Sequence, residues 1–332
     1  MSSSTVFASL LERFFIERLR QQRNASAHTV ASYRDTFRLL FEFAQRRLHK
    51  APCCLDLSDI DADFIGTFLN DVEKIRRNSA RTRNLRLTAI RSFCRFASLH
   101  EPAQCAHFQR ILAIPCKRYV RREVSFLTHP EIEALLVAPD RSTWIGRRDH
   151  ALLLLAVQTG LRVSELTSLR RDALVLDSSP YVRCIGKGRK ERCTPLTKQA
   201  VAVLKIWLKE PPRKNSDMLF TTQEGSSLSA DAVQHLVKKY VSSTSKTCPT
   251  FSGKRVSPHV LRHSAAMELL HAGVDSTVMA LWLGHESVDT TQIYIHAHLG
   301  LKETALAKTD PLKTKAGRFK AGDQLLQFLA AL

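Results

Sequence analysis

Ser257-Pro258-His259-Val260-Leu261-Arg262-His263-Ser264-Ala265-Ala266-Met267-Glu268-Leu269-Leu270 is the stretch around which this 332-residue chain is organised. Ser257 followed by Pro258 reads as an N-cap with proline in the first turn, and Gly273 stands where a helix would stop. Leu261, Ala265, Met267, Leu269 and Leu270 supply its buried side. The i, i+3 spacing brings His259 and Arg262 together near the start, where an imidazole, a guanidinium and the positive end of the helix dipole would face one anion. Alone, an H-x-x-R pattern is more often a solvated polar face. Zinc held by His259 and His263 at i, i+4 is disfavoured. The zinc-hydrolase motif needs a carboxylate directly after the first histidine, where Val260 stands, and cationic Arg262 lies between the two ligands.

Working outward, Leu283-Gly284-His285 follows another short helical pattern, and Thr290-Thr291-Gln292-Ile293-Tyr294 ends nine residues beyond that histidine. Upstream, Ala151 to Val157 is a nearly all-apolar helix ended by Gly160, so it must be core, and Arg162 emerges at its end in Thr159-Gly160-Leu161-Arg162-Val163-Ser164-Glu165-Leu166. An uncompensated charge there would be costly unless a carboxylate or phosphate met it, and Glu165 is the nearby candidate. Tyr181 to Ile185 and Arg192 to Leu196 flank Gly186-Lys187-Gly188-Arg189-Lys190, a glycine-rich hairpin turn.

Taken together these boxes resemble the tyrosine recombinase (phage integrase) family, over about Glu123 to Leu301 and more faintly in the N-terminal part, where Thr29-Val30-Ala31-Ser32-Tyr33 looks like a second-helix signature. The resemblance implies a catalytic set of Arg162, Lys187, His259, Arg262, His285 and Tyr294. It further implies strand cleavage through a 3′-phosphotyrosine joint with a free 5′-hydroxyl, without metal, cofactor or ATP. The expected partner is double-stranded DNA with an inverted-repeat core site, bound by a homotetramer on synapsed DNA, with or without sister recombinases. In that scheme Arg162 and Arg262 grip non-bridging oxygens with their planar forks, and Lys187 protonates the departing 5′ oxygen. His259 accepts the tyrosine proton or bonds a phosphate oxygen, and His285 orients the phosphate.

Composition agrees: 50 lysines and arginines against 31 acidic residues, a net charge of +19, point to a polyanionic partner. No lipidation motif, signal peptide or long apolar run is present, so no membrane is expected and the location expected is cytoplasmic. The eight cysteines then read as reduced thiols. Helical periodicity recurs over Val6 to Arg20, Thr29 to Arg46, a segment opened by Asp61, and Ser79 to Leu99, an all-α bundle. The last of these interleaves Arg81, Arg83, Arg86, Arg91 and Arg95 with apolar residues, and a one-sided run in a basic chain suits phosphates better than plain solvation. Lys117, Arg118, Arg121 and Arg122 crowd a segment broken by Pro115, an interdomain linker able to lie along a backbone. Arg189, Lys190 and Arg192 of the hairpin are assigned to the DNA backbone as well.

The expected fold is mainly α with a small β-hairpin or sheet. A helical core-binding domain at 1–103 is followed by a basic linker at 104–123, a catalytic domain at 124–307, and a basic tail with a terminal amphipathic helix at 308–332. A recombinase of a mobile element is the favoured role, with the tail tilting away from the shortest chromosomal resolvases. A type IB topoisomerase and a DNA-binding regulator with a silent site are the alternatives, and a zinc hydrolase is remote.

Overall fold

The computed structural model describes residues 6–119, 124–186, 190–251, 253–284 and, beyond these, Ser287, Thr290, Thr291 and Tyr294. Lys187, Arg189, Arg121, Arg122, His285 and the tail from 308 lie outside the described residues. The chain divides into two compact units, Met1–Arg121 and Arg122–Leu332.

The first unit is all helical. Helix α1 (Val6–Arg13) continues as a π-helical segment, Phe14–Gln22, and is followed by α2 (Ala27–Leu48), α3 (Ala62–Lys74), α4 (Ala80–His100) and α5 (Cys105–Ala113). Side chains open three of them, two where the sequence placed a start, at Asp61 and Ser79, and one three residues before the expected Thr29, at Ser26. Ser26, Asp61 and Ser79 accept from the N–H groups of Thr29, Phe64 and Thr82, donors that an α-helix leaves unpaired in its first turn. Phe7, Phe14, Phe37 and Phe93 meet mainly edge to face in the centre, with ring centroids 5.5 to 6.5 Å apart. Helix α5 falls in the stretch read as linker. Its Phe108 and Ile111 are buried in this core, so the segment is held by apolar packing that a nine-residue helix shows too briefly for its period to be recognised.

The second unit packs α6 (His129–Val137), α7 (Trp144–Thr159), α8 (Val163–Thr167), α9 (Lys198–Lys209), α10 (Ala230–Thr244), α11 (Pro258–His271) and α12 (Ser276–Leu283) with one small sheet. The sheet is antiparallel in the order β1 (Leu174–Val175), β2 (Tyr181–Ile185), β3 (Glu191–Pro195), and Cys184 pairs with Arg192. The two-residue β1 is the strand the sequence did not announce. Helix α7 is buried along nearly its whole length and forms the axis of the core, with α9 and α11 packed against it. In its second turn Arg148 and, from α10, Tyr240 both bond the Asp149 carboxylate, which compensates a charge only 2 % exposed. No helix among the described residues is long and apolar enough to cross a membrane.

Candidate active site

The site grows from the end of α7. Gly160 ends that helix in a left-handed conformation, φ 62°, and a Cβ there would lie 2.6 Å from the Leu283 side chain, so glycine is required by backbone and by space. Two residues on, the backbone N–H of Arg162 donates to Glu165 Oε2 at 2.7 Å. Its side chain donates from Nη1 to Glu165 Oε1 and from Nη2 to the Gly284 carbonyl, each at 2.8 Å. Arg262 comes in from α11, only 3 % exposed, and donates from Nη1 to Gly160 O at 2.5 Å and from Nη2 to Leu283 O at 2.7 Å. The two guanidiniums therefore meet across the turns that close α7 and α12. Burial, and after it the charge of Arg162, push the Arg262 guanidinium down to about 10, still protonated at neutral pH.

Glu165 is the anion that allows this crowding. It is 4 % exposed and accepts from Arg162 and, with both oxygens, from Arg192 Nη1 and Nη2 at 2.9 and 2.8 Å. Burial opposes its charge, but the hydrogen bonds from Arg192 and from the Arg162 backbone and side chain outweigh that and hold its carboxyl below the usual range. Sequence reasoning assigned Arg192 to the DNA backbone; the structure turns it inward onto this carboxylate.

Tyr294 is buried among Ala266, Met267, Leu270, Met279 and Leu283. Its hydroxyl lies 2.8 Å from His263 Nδ1, and it donates there when that nitrogen is unprotonated. Burial pushes the phenol up to about 12, against the opposing pull of the Arg262 and Arg162 charges, which places both cations within electrostatic reach of the hydroxyl. His259 is exposed on the same helix, one turn earlier, with its ring centroid 4.3 Å from that of His263. The histidine on the phenol is thus His263, which the sequence reading weighed only as a zinc ligand. Its signal was the position directly after Arg262, invisible as chemistry until Tyr294 is folded against it. Among the described residues no group of three or more His, Cys, Asp or Glu is placed to hold a metal ion.

The arginines of α4 do not form one open stripe. Arg81 and Arg95 are exposed, whereas Arg83 is 6 % exposed beside Glu73, and Arg86 Nη1 donates to Ser32 O and Thr36 Oγ1. Arg91 donates to Ile114 O, which ties α4 to the end of α5. Lys117 and Arg118 are exposed, and Lys117 pairs with Glu73 at 2.6 Å. Exposed Lys190 stands at the foot of the hairpin, its carbonyl accepting from Gly186 N at 2.8 Å.

The second unit, helical with one small antiparallel sheet, thus brings Arg162 and Arg262 within electrostatic reach of the buried Tyr294. Residues 125–299 match the phage integrase family and residues 11–101 the family's N-terminal SAM-like domain. The chain belongs to the phage integrase family, whose members are tyrosine recombinases. It is 56 % identical over 332 residues, the whole of both chains, to y4rC of Sinorhizobium fredii, which is named as an integrase/recombinase. It is 35 % identical over 295 residues to the tyrosine recombinase XerC of Pelotomaculum thermopropionicum, covering 85 % of this chain and 92 % of that one. The fold also resembles XerH bound to a palindromic difH substrate, with a TM-score of 0.66 at 21 % identity over 92 % of this chain and 90 % of that one. The Tn1549 transposon integrase with circular-intermediate DNA gives 0.66 at 16 % over 89 % and 98 %.

Proposed function

We propose that this chain cuts and rejoins double-stranded DNA at a specific site through a 3′-phosphotyrosyl intermediate on Tyr294, as the recombinase of a mobile element. The observation that carries the reading is the Tyr294 hydroxyl held 2.8 Å from His263 Nδ1, within reach of the Arg262 and Arg162 charges. A phenol near 12 is almost wholly protonated at neutral pH, so its proton must leave as the oxygen attacks, and His263 is the base in contact with it. Each Nη of a guanidinium carries two protons. Arg262 and Arg162 therefore keep donors beyond those spent on the Gly160, Leu283 and Gly284 carbonyls, and these can bind the non-bridging oxygens of a phosphodiester. His259, exposed one turn before His263, is assigned to meet the phosphate or relay that proton. Lys187 is assigned the leaving 5′ oxygen and His285 the phosphate, on the pattern of the boxes that carry them.

The chemistry needs no external energy source, because the phosphotyrosyl bond conserves the energy of the phosphodiester it replaces. Exchange between two sites then needs two copies per site, a homotetramer on inverted-repeat DNA. Support for DNA as partner comes from the +19 charge and from the recombinases of like fold that were solved on DNA. The full-length match at 56 % identity to a chain named as an integrase/recombinase supports a recombinase, and the mobile-element role rests on the long basic tail read in the sequence. Singly nicked duplexes built on the inverted repeats that flank the gene, backed by a pool with randomised arms, provide the test. Wild-type protein should yield an adduct that survives denaturation and maps to Tyr294. A bound, uncleaved duplex would favour the DNA-binding regulator instead, and relaxation of supercoils without strand exchange would favour the topoisomerase.

A further inference from the structure

We infer that Arg192 is a positioning residue: it registers the foot of the β2–β3 hairpin against the Arg162 turn and the Gly284 turn, so that the hairpin residue Lys187 meets the same phosphate as the two arginines. The inference rests on the strand-transfer reading given above. Arg192 lies on β3 opposite Cys184, two residues beyond Lys190, and its side chain is 11 % exposed. Its fork spans Glu165 with one nitrogen to each oxygen, 2.9 and 2.8 Å, and the same Oε1 accepts from Arg162 Nη1. One carboxylate thus fixes the spacing between the hairpin strand and the turn that carries Arg162.

Two glycines show how closely the guanidinium is enclosed. A Cβ at Gly186, the last residue before the hairpin turn, would come 3.2 Å from Arg192 Nη1. At Gly284, φ 63°, it would come 2.5 Å from Nη1 and 3.1 Å from both Cδ and Cζ. Arg192 therefore sits against the backbone that precedes Lys187 on one side and the backbone that precedes His285 on the other. At Gly284 only glycine leaves it the room, whereas a Cβ at Gly186 would ask the guanidinium to give by a few tenths of an ångström.

Stability alone is a poor reason to keep a third guanidinium here. A buried ion pair returns little net stability once its charges have been desolvated, and Arg192 adds to the repulsion felt by Arg262. Its Nε is buried without a hydrogen-bond partner among the described residues, so the group is placed by Glu165 and the two glycines at the cost of one donor. A planar fork can span both oxygens of the carboxylate and also fill a flat slot. An ammonium offers neither shape, which makes Arg192→Lys the informative conservative variant.

The experiment measures single-turnover adduct formation, DNA affinity and the melting midpoint for Arg192→Met, Arg192→Lys, Glu165→Gln and the Glu165→Gln/Arg192→Met pair. The DNA is a nicked duplex on which the wild type reacts. Arg192→Met should slow cleavage on the order of a hundredfold while affinity changes less than about threefold, and Arg192→Lys should restore no more than about a tenth of the wild-type rate. The double variant should be no slower than the slower single, because both substitutions break one fork. A duplex whose bridging 5′ oxygen is replaced by sulphur leaves as a thiolate and needs no proton from Lys187. On it Arg192→Met should recover at least tenfold, as Lys187→Ala should, while Arg162→Ala stays slow.

Cleavage by Arg192→Met and Arg192→Lys within threefold of wild type would overturn the inference, as would failure of the sulphur substrate to help Arg192→Met. If Arg192→Met does not fold, Arg192→Lys and Glu165→Gln decide on the same criteria. A wild-type chain that forms no adduct would overturn the strand-transfer reading itself, whereas a reacting wild type with indifferent Arg192 variants would sink only this inference.

Discussion

Tyr294→Phe separates what the phenol contributes to the fold from its proposed role as nucleophile. The substitution removes one oxygen and leaves a ring that still fills the space among Ala266, Met267, Leu270, Met279 and Leu283. What folding loses is the hydroxyl's bond to His263 at 2.8 Å, a net contribution of about 1 kcal/mol for a neutral pair, so the melting midpoint should fall by about 2–4 °C in a unit of this size. What the reaction loses is its attacking atom, and adduct formation should disappear. DNA affinity should change little, because the arginines proposed to meet the phosphate keep their own partners, Glu165 and the Gly160, Leu283 and Gly284 carbonyls. With the phenol near 12, roughly one molecule in thirty thousand is ionised at pH 7.5, so attack depends on proton transfer to a neighbour. His263→Ala should therefore slow cleavage by about a hundredfold or more with the nucleophile intact. Calorimetry, gel-shift titration and denaturing electrophoresis of the adduct give the three readings. An adduct on Tyr294→Phe would refute the assignment of Tyr294 as the nucleophile, and a midpoint loss of more than about 10 °C would show that the hydroxyl does more for the fold than its bond to His263.

Glu131, 1 % exposed, accepts from Lys254 at 2.7 Å and caps α6 through the Thr128 N–H. Burial opposes its charge but those bonds hold its carboxyl below the usual carboxylate range, so its stabilisation is full above that range and is lost as pH falls through the folded pKa. Glu131→Gln should cost about 2 kcal/mol at pH 7, discounted because Lys254 is partly exposed, and in acid unfolding curves the gap to wild type should close as pH falls through the folded pKa of the carboxyl. A gap independent of pH would show that packing, and not charge, is what the glutamine disturbs. Gly284→Ala must adopt φ 63° and push against Arg192, so it should lower stability by about 1 kcal/mol or more and slow cleavage together; wild-type behaviour in both would mean the turn has slack. DNA binding should weaken steeply with salt, and alanine at Arg81, Arg95 and Arg118 should reduce the log-log slope by about 0.9 for each phosphate contact removed. The same change at Arg86 should mainly lower the melting midpoint, since that side chain bonds Ser32 and Thr36; an unchanged slope for the exposed set would place the DNA elsewhere.

Much of this protein is local and therefore readable along the chain. Ser79, Asp61, Thr128 and Ser257 mark helix starts because a short oxygen-bearing side chain reaches only the next turn, and each caps the helix expected of it. The glycine after α7, the two main strands and the order of the boxes are likewise written in neighbouring residues, as are the fold class and the family. What the sequence could not decide is which polar atoms meet over long separations. Arg192 reaches Glu165 across 27 residues of chain, Arg262 reaches Gly160 across 102, and His263 finds Tyr294 across 31. Arg83, Arg86 and Arg91 read as a phosphate stripe because charge pattern says nothing about which guanidiniums fold back onto carbonyls and carboxylates. Periodicity assigns a residue to the buried or exposed side of its own element. Which donor it meets there depends on how elements distant in sequence pack, and that is settled only by the tertiary structure.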